Sequence, residues 1–367
     1  MRVLICGGGV IGASIAWFLA ARGAEPVVIE RTGIACAASG RSGGFLAEDW
    51  CDGTPLEALA RRSFALHAEL ALTAGNEWGY RRLDTFGGVG SARNAAPDAG
   101  VPRPRGWLSG GLRVNRRLGT PATTAQVHPA AFTRAMMHMA EDRGGRLVRG
   151  QVTGLAPFPH GGGLAGVKVD GAIVEGDAVV IAMGPWSILA AAWLALPAVF
   201  GLKGHSLVFK TGNRIPAEAL FVEFEEADGE ILSPEVFPRG DGTTYVCAVS
   251  SHSPLPLDPA LVEPDAGASE RLEAMCRALS PALSEAPILA RQACFRPLTR
   301  DGLPLIGGVP GMANAYVATG HSVWGILNAP ATGEAMAELI LDGAARTLDL
   351  APFSPGRLQP LDPARLR

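Results

Sequence analysis

The stretch VLICGGGVIGASIAWFLAARGAEPVVIE, residues 3–30, decides the fold of this chain. It begins and ends with apolar runs that suit buried strands, and a glycine-rich turn and a helical run lie between them. The predicted strand, turn, helix and second strand are Val3–Cys6, Gly7–Val10, Ile11–Arg22 and Pro26–Glu30. Together they form a βαβ unit, which is typical of α/β proteins with a parallel sheet.

The turn carries the pattern G-x-G-x-x-G at Gly7, Gly9 and Gly12. Glycines permit the tight turn and let the N–H groups at the helix start approach a pyrophosphate. Glu30 follows Gly12 by 18 residues, where a carboxylate accepts hydrogen bonds from a ribose 2′-hydroxyl and repels a 2′-phosphate. The sequence therefore predicts FAD or NAD rather than NADP. The alternative is that these glycines only form a tight βα turn.

Length and composition favour a packed enzyme of two domains. The chain has 367 residues, of which 48% are hydrophobic and 18% charged, and a single core seldom grows beyond about 250–300 residues. The formal net charge is -3, and no run of like charges occurs. This argues against a nucleic-acid groove or a basic membrane anchor and leaves a small molecule as the expected partner.

The cysteines and the apolar runs bear on location. Six cysteines are scattered without C-x-x-C pairs, so we expect no metal site, no disulfide framework and a reducing cytoplasm. The uncharged stretch Ala178–Leu202 is broken at Gly184–Pro185 and Pro197, which favours a buried strand over a transmembrane segment. Met1 leads directly into Val3–Cys6, so no secretion signal is expected.

Hydrophobic spacing predicts further helices and strands. The predicted helices are Leu56–Thr73, Ala131–Arg143, Ala268–Leu279 and Thr332–Leu341, the last capped by Gly343. The predicted strand regions are a hairpin over Gly166–Val174 that turns at Asp170–Gly171, a buried strand at Asp177–Ala182 and an antiparallel set over Leu202–Ser250. Residues 87–121, rich in Gly, Pro and Arg, are predicted to be a long irregular segment.

Three further stretches carry a family resemblance. They are AASGRSGG at residues 37–44, RPLTRDGLPLIG at residues 296–307 and GHSVWGI at residues 320–326. With the glycines of residues 7–12, they resemble the D-amino acid oxidase-like superfamily of FAD-dependent oxidoreductases, which includes glycine oxidase, monomeric sarcosine oxidase and D-amino acid dehydrogenase. The run Ala35–Asp52 with Arg61–Phe64 is most similar to a subgroup from fungi, plants and bacteria without an assigned substrate.

The pattern and the resemblance together imply an α/β fold class. One domain would be a Rossmann-like FAD-binding domain of the glutathione-reductase type, and the other a mainly antiparallel-sheet substrate domain. We expect the FAD-binding domain at residues 1–50, 122–198 and 291–367. The substrate domain is expected at residues 51–121 and 199–290.

Carried over residue by residue, the resemblance implies a set of cofactor contacts. Glu30 and Arg31 would contact the adenosine, the loop at 39–44 the pyrophosphate and flavin, and residues 320–326 the flavin ring. The helix that follows would point its N-terminus at the ring carbonyls and stabilise reduced flavin through its dipole. The implied FAD-binding residues are Gly7, Gly9, Val10, Ile11, Gly12, Glu30, Arg31, Ser39, Gly40, Ser42, Gly43, Gly44, Val152, Ala182, Gly184, Gly320, His321, Ser322, Val323, Trp324, Gly325 and Ile326.

The resemblance also implies a substrate site around Arg296. This residue stands where glycine oxidase and D-amino acid oxidase have the arginine that holds the substrate carboxylate; the alternative is a structural ion pair. Trp324, Tyr245 and His205 are further catalytic candidates, although such residues are more often simply packed. Glycine oxidase has another arginine in a G-H-x-R motif, where this chain has Val323, so a more apolar pocket is expected.

The implied activity is hydride transfer from the carbon beside the nitrogen of a small amine or amino acid to FAD. The imine then hydrolyses, and dioxygen or an electron-transfer partner reoxidises the flavin. Cys294 has the spacing of the flavin-linked cysteine of monomeric sarcosine oxidase, so it is either a thioether link or a small buried residue. Three other functions stay open: a flavin-dependent 2-hydroxy acid dehydrogenase, a non-catalytic or regulatory flavoprotein, and a nicotinamide-dependent dehydrogenase. The last leaves the two later glycine-rich stretches unexplained.

Overall fold

The structure, a computed structural model, describes residues 1–93 and 106–366. Its strands and helices are numbered in chain order. The helices are α1 (Val10–Ala21), α2 (Ala38–Arg41), α3 (Glu57–Thr73), α4 (Pro129–Glu141), α5 (Ala268–Leu279), α6 (Pro281–Ser284) and α7 (Gly325–Asp342). The strands are β1 (Arg2–Cys6), β2 (Glu25–Glu30), β3 (Phe45–Ala47), β4 (Arg81–Arg82), β5 (Asp84–Ser91), β6 (Leu112–Gly119), β7 (Thr124–Gln126), β8 (Arg146–Arg149), β9 (Val152–Pro157), β10 (Leu164–Val169), β11 (Ala172–Glu175), β12 (Ala178–Ile181), β13 (Phe200–Lys210), β14 (Glu218–Glu225), β15 (Ile231–Leu232), β16 (Glu235–Pro238), β17 (Thr243–Ser251), β18 (Ile288–Leu298), β19 (Leu305–Gly308) and β20 (Ala315–Thr319).

A six-stranded sheet in the order β19-β20-β12-β1-β2-β8 is parallel except at β19. Helices α1, α4 and α7 pack on one face, and the three-stranded sheet β11-β10-β9 packs on the other. Residues Val3–Cys6 of β1 are fully buried because both faces are covered, which explains their continuous apolar sequence. A Cβ at Gly333 of α7 would lie 2.8 Å from the Ser14 carbonyl oxygen of α1, so these two helices pack backbone to backbone.

A larger sheet in the order β18-β13-β17-β16-β14-β5-β6, with β15 beside β14, is antiparallel except for the pair β14–β5. Because successive side chains in a strand point to opposite faces, the sheet has two distinct sides. One side packs Leu207, Leu220 and Val246 against Leu272 and Leu279 of α5. The other side faces away from α5 and carries the candidate site. A small sheet in the order β3-β7-β4 completes the fold.

Most of the predicted elements are confirmed to within a few residues. The predicted helices over 11–22, 56–73, 131–143 and 268–279 correspond to α1, α3, α4 and α5. The predicted hairpin turn at Asp170–Gly171 has φ angles of 47° and 88°, and Gly343 ends α7 with φ 81°. Positive φ angles at these turn positions are what Asp and Gly tolerate best.

The prediction of an irregular segment over residues 87–121 is wrong in part. Strands β5 and β6 pair with each other within it, while residues 94–105 lie outside the described part of the chain. Its glycines have low strand propensity, but pairing of β5 with both β6 and β14 overrides that propensity. Gly87 also makes room for the Arg116 side chain, whose Nε would lie 2.6 Å from a Cβ at that position.

Helix α7 begins at Gly325, earlier than the predicted start at Thr332. Pro330 lies inside the helix and has no N–H to donate to the carbonyl oxygen of Ile326. Nε2 of His67 on α3 lies 2.9 Å from that oxygen and supplies the missing donor. A side chain from a distant helix therefore permits α7 to continue through a proline.

The mixed architecture confirms the α/β fold class with one mainly parallel and one mainly antiparallel sheet. The predicted domain boundary at residue 291 falls within β18, which pairs with β13 along most of its length. The division into two domains stays a prediction. Within residues 1–93 and 106–366, no helix combines the length and apolar character that crossing a membrane requires.

Candidate active site

A cavity of about 350 Å³ lies where the carboxyl ends of the parallel strands face the larger sheet. Its wall includes residues at or just after the ends of β1, β2, β12 and β20, namely Gly7, Glu30, Ala182 and Gly320. Ligands of open α/β sheets bind beyond this edge, and small-molecule pockets commonly measure about 300–1,000 Å³. The cavity is therefore the candidate active site.

The start of α1 forms one wall of the cavity. Gly7 has φ +116°, and a Cβ there would lie 2.4 Å from the Ala182 carbonyl oxygen. A Cβ at Gly12 would lie 2.0 Å from the Gly7 carbonyl oxygen, so Gly12 packs the helix against the turn. The backbone N–H of Val10 donates to Ser39 Oγ at 2.9 Å. These contacts bring the positively polarised helix start to the cavity, where it suits a phosphate.

Glu30 holds the glycine-rich turn from the end of β2. Its carboxylate accepts hydrogen bonds from the backbone N–H groups of Gly8 and Thr32, each at 2.7 Å. Arg31 extends to the segment between β17 and α5, where it forms an ion pair with Asp258 at 3.1 Å. Glu30 thus supports the turn, and Arg31 ties the two sides of the cavity together.

The loop at residues 39–44 packs closely between the two sheets. A Cβ at Gly43 would lie 2.2 Å from Phe237 Cδ2, and a Cβ at Gly44, which has φ +80°, would lie 2.1 Å from the Val127 carbonyl oxygen. Neither position has room for a side chain. Ser42 Oγ is buried at the cavity wall and has no hydrogen-bond partner among the described groups.

The start of α7 and the residues before it form the opposite end of the wall. His321 is buried, with Nε2 3.1 Å from Thr332 Oγ. Burial lowers the pKa of this imidazole to about 3, so the ring is neutral at ordinary pH, and its Nδ1 has no described partner. Val323 is 58% exposed and lines the cavity, so an apolar side chain occupies the position of the second arginine in the G-H-x-R motif.

Arg296 on β18 lines the cavity from the side of the larger sheet. Its side chain crosses β13 at Gly204, where a Cβ would lie 3.3 Å from Arg296 Nη2. Nη1 lies 3.4 Å from Ser250 Oγ on β17. Arg296 forms no ion pair with a carboxylate of residues 1–93 or 106–366. Because an arginine stays charged at all ordinary pH, the cavity wall carries an unpaired cation.

Glu235 on β16 lines the same cavity and is absent from the predicted site residues. Its Oε2 accepts a hydrogen bond from Cys247 Sγ at 3.5 Å. Burial raises the pKa of its carboxyl group, although the charge of Arg296 acts in the opposite direction. Within the described chain, no cation forms an ion pair with it. Arg296 and Glu235 are therefore a basic and an acidic side chain of the wall for which the described residues provide no ion-pair partner.

Aromatic rings form another part of the cavity wall. The Phe45 ring centroid lies 5.1 Å from those of Trp50 and Phe221 and 5.3 Å from that of Phe237. Trp324, which precedes α7, contacts Trp50 edge to face with centroids 6.3 Å apart. All five residues line the cavity. They give the wall of the cavity an extended apolar surface, as is usual for a small-molecule pocket.

The other predicted residues divide into two groups. Tyr245 and Cys294 are buried and line the cavity, and burial raises the pKa of both side chains. His205 is not in the cavity wall. Its Nε2 accepts a hydrogen bond from the Asp265 backbone N–H at 3.1 Å, and its Nδ1 lies 3.1 Å from the Val249 carbonyl oxygen. These bonds give His205 a structural role and do not support the expected catalytic one.

Comparison with known proteins places the chain in a family. The family model described as FAD dependent oxidoreductase, DAO, matches residues 2–339. The chain belongs to the DAO family of FAD-dependent oxidoreductases.

Several relatives of this DAO-family protein match over nearly the whole chain. A Schizosaccharomyces pombe protein whose name gives only the general class oxidoreductase is 30% identical over 380 residues, covering 96% of this chain and 97% of its own. Glycine oxidase of Pseudomonas putida is 27% identical over 390 residues, covering 97% and 99%. The crystal structure of glycine oxidase from Geobacillus kaustophilus has a TM-score of 0.78 at 26% identity, covering 97% and 99%.

The cavity of this DAO-family protein has the features that FAD, the cofactor of the family, requires. Backbone without room for side chains meets a helix start at Gly7, which suits a pyrophosphate. Ser42 Oγ and His321 Nδ1 are buried polar atoms of wall residues that have no hydrogen-bond partner in the described part of the chain, so each could bond to a polar ligand. The predicted residues that line the cavity and could hold FAD are Gly7, Gly9, Val10, Ile11, Glu30, Arg31, Ser39, Ser42, Gly43, Gly44, Val152, Ala182, Gly184, Gly320, His321, Ser322, Val323, Trp324, Gly325 and Ile326.

Two predicted contacts of the DAO-family motifs, Gly12 and Gly40, lie behind the wall. A Cβ at Gly40 would lie 2.0 Å from the Ala35 carbonyl oxygen, so this glycine allows the loop to fold on itself. Sequence reasoning also missed Glu235 and the aromatic residues Phe221 and Phe237. Strand alternation places Glu235 and Phe237 on one face, but only the sheet register shows that this face lines the cavity.

Proposed function

We propose that this DAO-family protein oxidises the carbon–nitrogen bond of a small amino acid whose carboxylate binds Arg296. The observation that carries the proposal is the guanidinium of Arg296 in the cavity wall, which forms no ion pair with any described carboxylate. Burial of a charge is costly unless it is paired, and a carboxylate would pair with a guanidinium through two hydrogen bonds. Bound FAD would supply the acceptor for the hydride that leaves the carbon beside the nitrogen.

The placement of the wall residues supports a specific orientation of the cofactor. In the proposal, the start of α1 faces the pyrophosphate and Glu30 accepts hydrogen bonds from the ribose. Residues 320–326 line the cavity and would hold the flavin ring, and the N-terminal end of α7 would favour negative charge on it. The face of the larger sheet that carries Arg296 would then be free to hold the substrate.

The aromatic wall supports an amino acid with an apolar side chain. Phe45, Trp50, Phe221 and Phe237 would contact the carbon skeleton and keep water from the reacting carbon. Val323 adds apolar surface where the G-H-x-R motif has an arginine. The relatives named glycine oxidase support a nitrogen-containing substrate. Dioxygen or an electron-transfer partner would complete the cycle by taking the electrons.

In the test, the holoenzyme is mixed anaerobically with a panel of amino acids and the matching 2-hydroxy acids. Reduction of the flavin is measured as the loss of its absorbance. Arg296→Leu is compared with Arg291→Leu, a control on the same strand whose side chain pairs with Glu273 at 3.0 Å and is 48% exposed. Truncating one partner of a desolvated charge pair costs about 2–5 kcal/mol. We therefore expect Arg296→Leu to lower kcat/KM by ~30-fold to ~4,000-fold, and Arg291→Leu to retain wild-type activity.

Each contrary result has a separate meaning. Reduction by 2-hydroxy acids alone would replace amino acid oxidation with alcohol oxidation. Equal rates for the wild type and Arg296→Leu would remove Arg296 from the substrate site. Reduction by neither class would favour a non-catalytic flavoprotein.

A further inference from the structure

We propose that Glu235 binds the substrate's ammonium group opposite Arg296 and accepts a proton from it, so that the two residues together select zwitterionic amino acids. This inference rests on the proposed function, because it needs a substrate whose carboxylate binds Arg296. It adds an acidic residue that the family motifs quoted above do not include.

The sheet register brings the two side chains to one face. The strand order β18-β13-β17-β16 places Arg296 and Glu235 on strands three spacings apart, which is roughly 14 Å between backbones at about 4.8 Å per spacing. Arg296 extends across β13 at Gly204 and reaches Ser250 on β17. Glu235 pairs with Cys247 on the same β17 strand. Ser250 and Cys247 lie three residues apart on β17, which is about 10 Å at roughly 3.3 Å per residue. The two long side chains therefore reach β17 from opposite sides and leave a gap between them.

The gap suits a zwitterion rather than a direct ion pair. Arg296 and Glu235 both line the cavity, and they are not joined in an ion pair. Among residues 1–93 and 106–366, each charged side chain has a single weak hydrogen bond. Arg296 donates to Ser250 Oγ at 3.4 Å, and Glu235 accepts from Cys247 Sγ at 3.5 Å. An α-amino acid places a carboxylate and an ammonium group on one carbon, and it would therefore satisfy both residues at once.

The same contact would prepare the amine for oxidation. Hydride loss from the carbon beside nitrogen requires the neutral amine, because the nitrogen lone pair must form the new C=N bond. In the proposed transfer, one ammonium N–H bond breaks, a Glu235 O–H bond forms, and the electron pair stays on nitrogen. Burial raises the pKa of Glu235, which makes this carboxylate a better proton acceptor than an exposed glutamate.

The groups around Glu235 do not compete for this role. Arg296 and Cys294 on β18 and Tyr245 and Cys247 on β17 share the face with it. Burial raises the pKa of the two thiols and of the phenol, so they stay neutral in acid and neutral solution, while the arginine stays charged. Among these five side chains, Glu235 is the one whose charge changes as the solution is acidified.

The experiment uses two isosteric probes that cannot be oxidised at a carbon beside nitrogen. In 2-aminoisobutyrate the carbon that bears the carboxylate also bears an ammonium group and no hydrogen, and in pivalate a methyl group replaces the ammonium. Binding of each probe to the holoenzyme is measured by calorimetry for the wild type, Glu235→Gln and Arg296→Leu. Glu223→Gln is the matched control, because this glutamate lies on β14, is 64% exposed and is 3.7 Å from Arg116.

We expect the wild type and Glu223→Gln to bind 2-aminoisobutyrate at least ~30-fold more tightly than pivalate. Glu235→Gln should abolish that preference and leave pivalate binding unchanged or stronger, since a nearby negative charge has been removed. Wild-type binding of 2-aminoisobutyrate should weaken as the pH falls through the raised pKa of Glu235, while the binding by Glu235→Gln should not. If Glu235→Gln binds both probes more weakly than the wild type and by the same factor, Glu235 has a structural role only, and the inference is overturned.

Comparison of the two variants distinguishes a failure of this inference from a failure of the proposed function. Suppose that Arg296→Leu weakens the binding of both probes but Glu235→Gln still prefers 2-aminoisobutyrate. The proposed role of Glu235 is then wrong, and Arg296 remains the carboxylate-binding residue. If Arg296→Leu binds both probes like the wild type, the carboxylate site itself is wrong, and the inference falls with it.

Discussion

Substitution of Gly12 by alanine perturbs the contact that holds α1 against the glycine-rich turn. The added Cβ would lie 2.0 Å from the Gly7 carbonyl oxygen and 3.3 Å from Ile5 Cγ2. The first contact is with backbone, which cannot rotate aside as a flexible side chain can. The helix start must therefore move by about 1 Å relative to the turn.

Two opposing effects set the size of the loss. Overpacking commonly costs about 1–3 kcal/mol, and a backbone contact this short belongs at the upper end of that range. Replacing a helical glycine by alanine stabilises the helix by about 1 kcal/mol, which offsets part of this cost. We therefore expect the free energy of unfolding to fall by about 2 kcal/mol. FAD affinity should fall at least ~10-fold, because the displaced N–H groups no longer face the phosphate.

The assay is urea unfolding with and without FAD, combined with titration of the apoprotein with FAD. Gly154→Ala is the control, because a Cβ there would have its nearest contact at 3.6 Å, with the flexible Lys168 side chain. This control should keep wild-type FAD affinity. A Gly12→Ala variant that is about 1 kcal/mol more stable than the wild type and binds FAD equally well would refute the reasoning.

Four further outcomes are expected. Burial lowers the pKa of His67 to about 4 and of His321 to about 3; the unfolded chain therefore binds more protons below about pH 6.5, and urea midpoints should show each histidine removing about 2 kcal/mol of stability by pH 5. His67→Leu should reduce this pH dependence and cost about 1–3 kcal/mol at pH 7, because two carbonyls of α7 lose their donor. Asp258→Ala should speed FAD dissociation no more than ~5-fold in a fluorescence release assay, since its pair with Arg31 is partly exposed. Acid precipitation should leave the flavin in the supernatant, because burial keeps the Cys294 thiol protonated and only the thiolate is a nucleophile; a yellow pellet would show a covalent link.

The parts of the site predicted from sequence are those that a short stretch of chain builds locally. The turn at Gly7–Gly12 and the strand end at Glu30 belong to one βαβ unit, whose periodicity and glycine spacing are visible in the sequence. The motif at residues 296–307 was enough to predict Arg296 as a site residue. The structure was needed to show that no described carboxylate forms an ion pair with it. Local pattern therefore identified the predicted cofactor side of the cavity.

The substrate side depends on strand register, which a single sequence does not fix. Glu235 lies in a strand of four residues. Its strand partner Cys247 and the cavity residue Arg296 come from strands that follow it at different distances along the chain. His205 was predicted at the site for the same reason, since its sequence does not show which face of β13 it occupies. In the structure its side chain contacts Asp265 and does not line the cavity. Pairing of β5 with β14 likewise joins residues more than a hundred positions apart.

The measurement that tests the central claim most directly is the ammonia released in one anaerobic turnover. Holoenzyme is mixed with an apolar amino acid without dioxygen, and the flavin reduced and the ammonia formed are both quantified. Oxidation of a carbon–nitrogen bond predicts equal amounts of ammonia and reduced flavin in the wild type, and neither product at a comparable rate in Arg296→Leu. Flavin reduction without ammonia, or reduction only by a 2-hydroxy acid, would contradict the account.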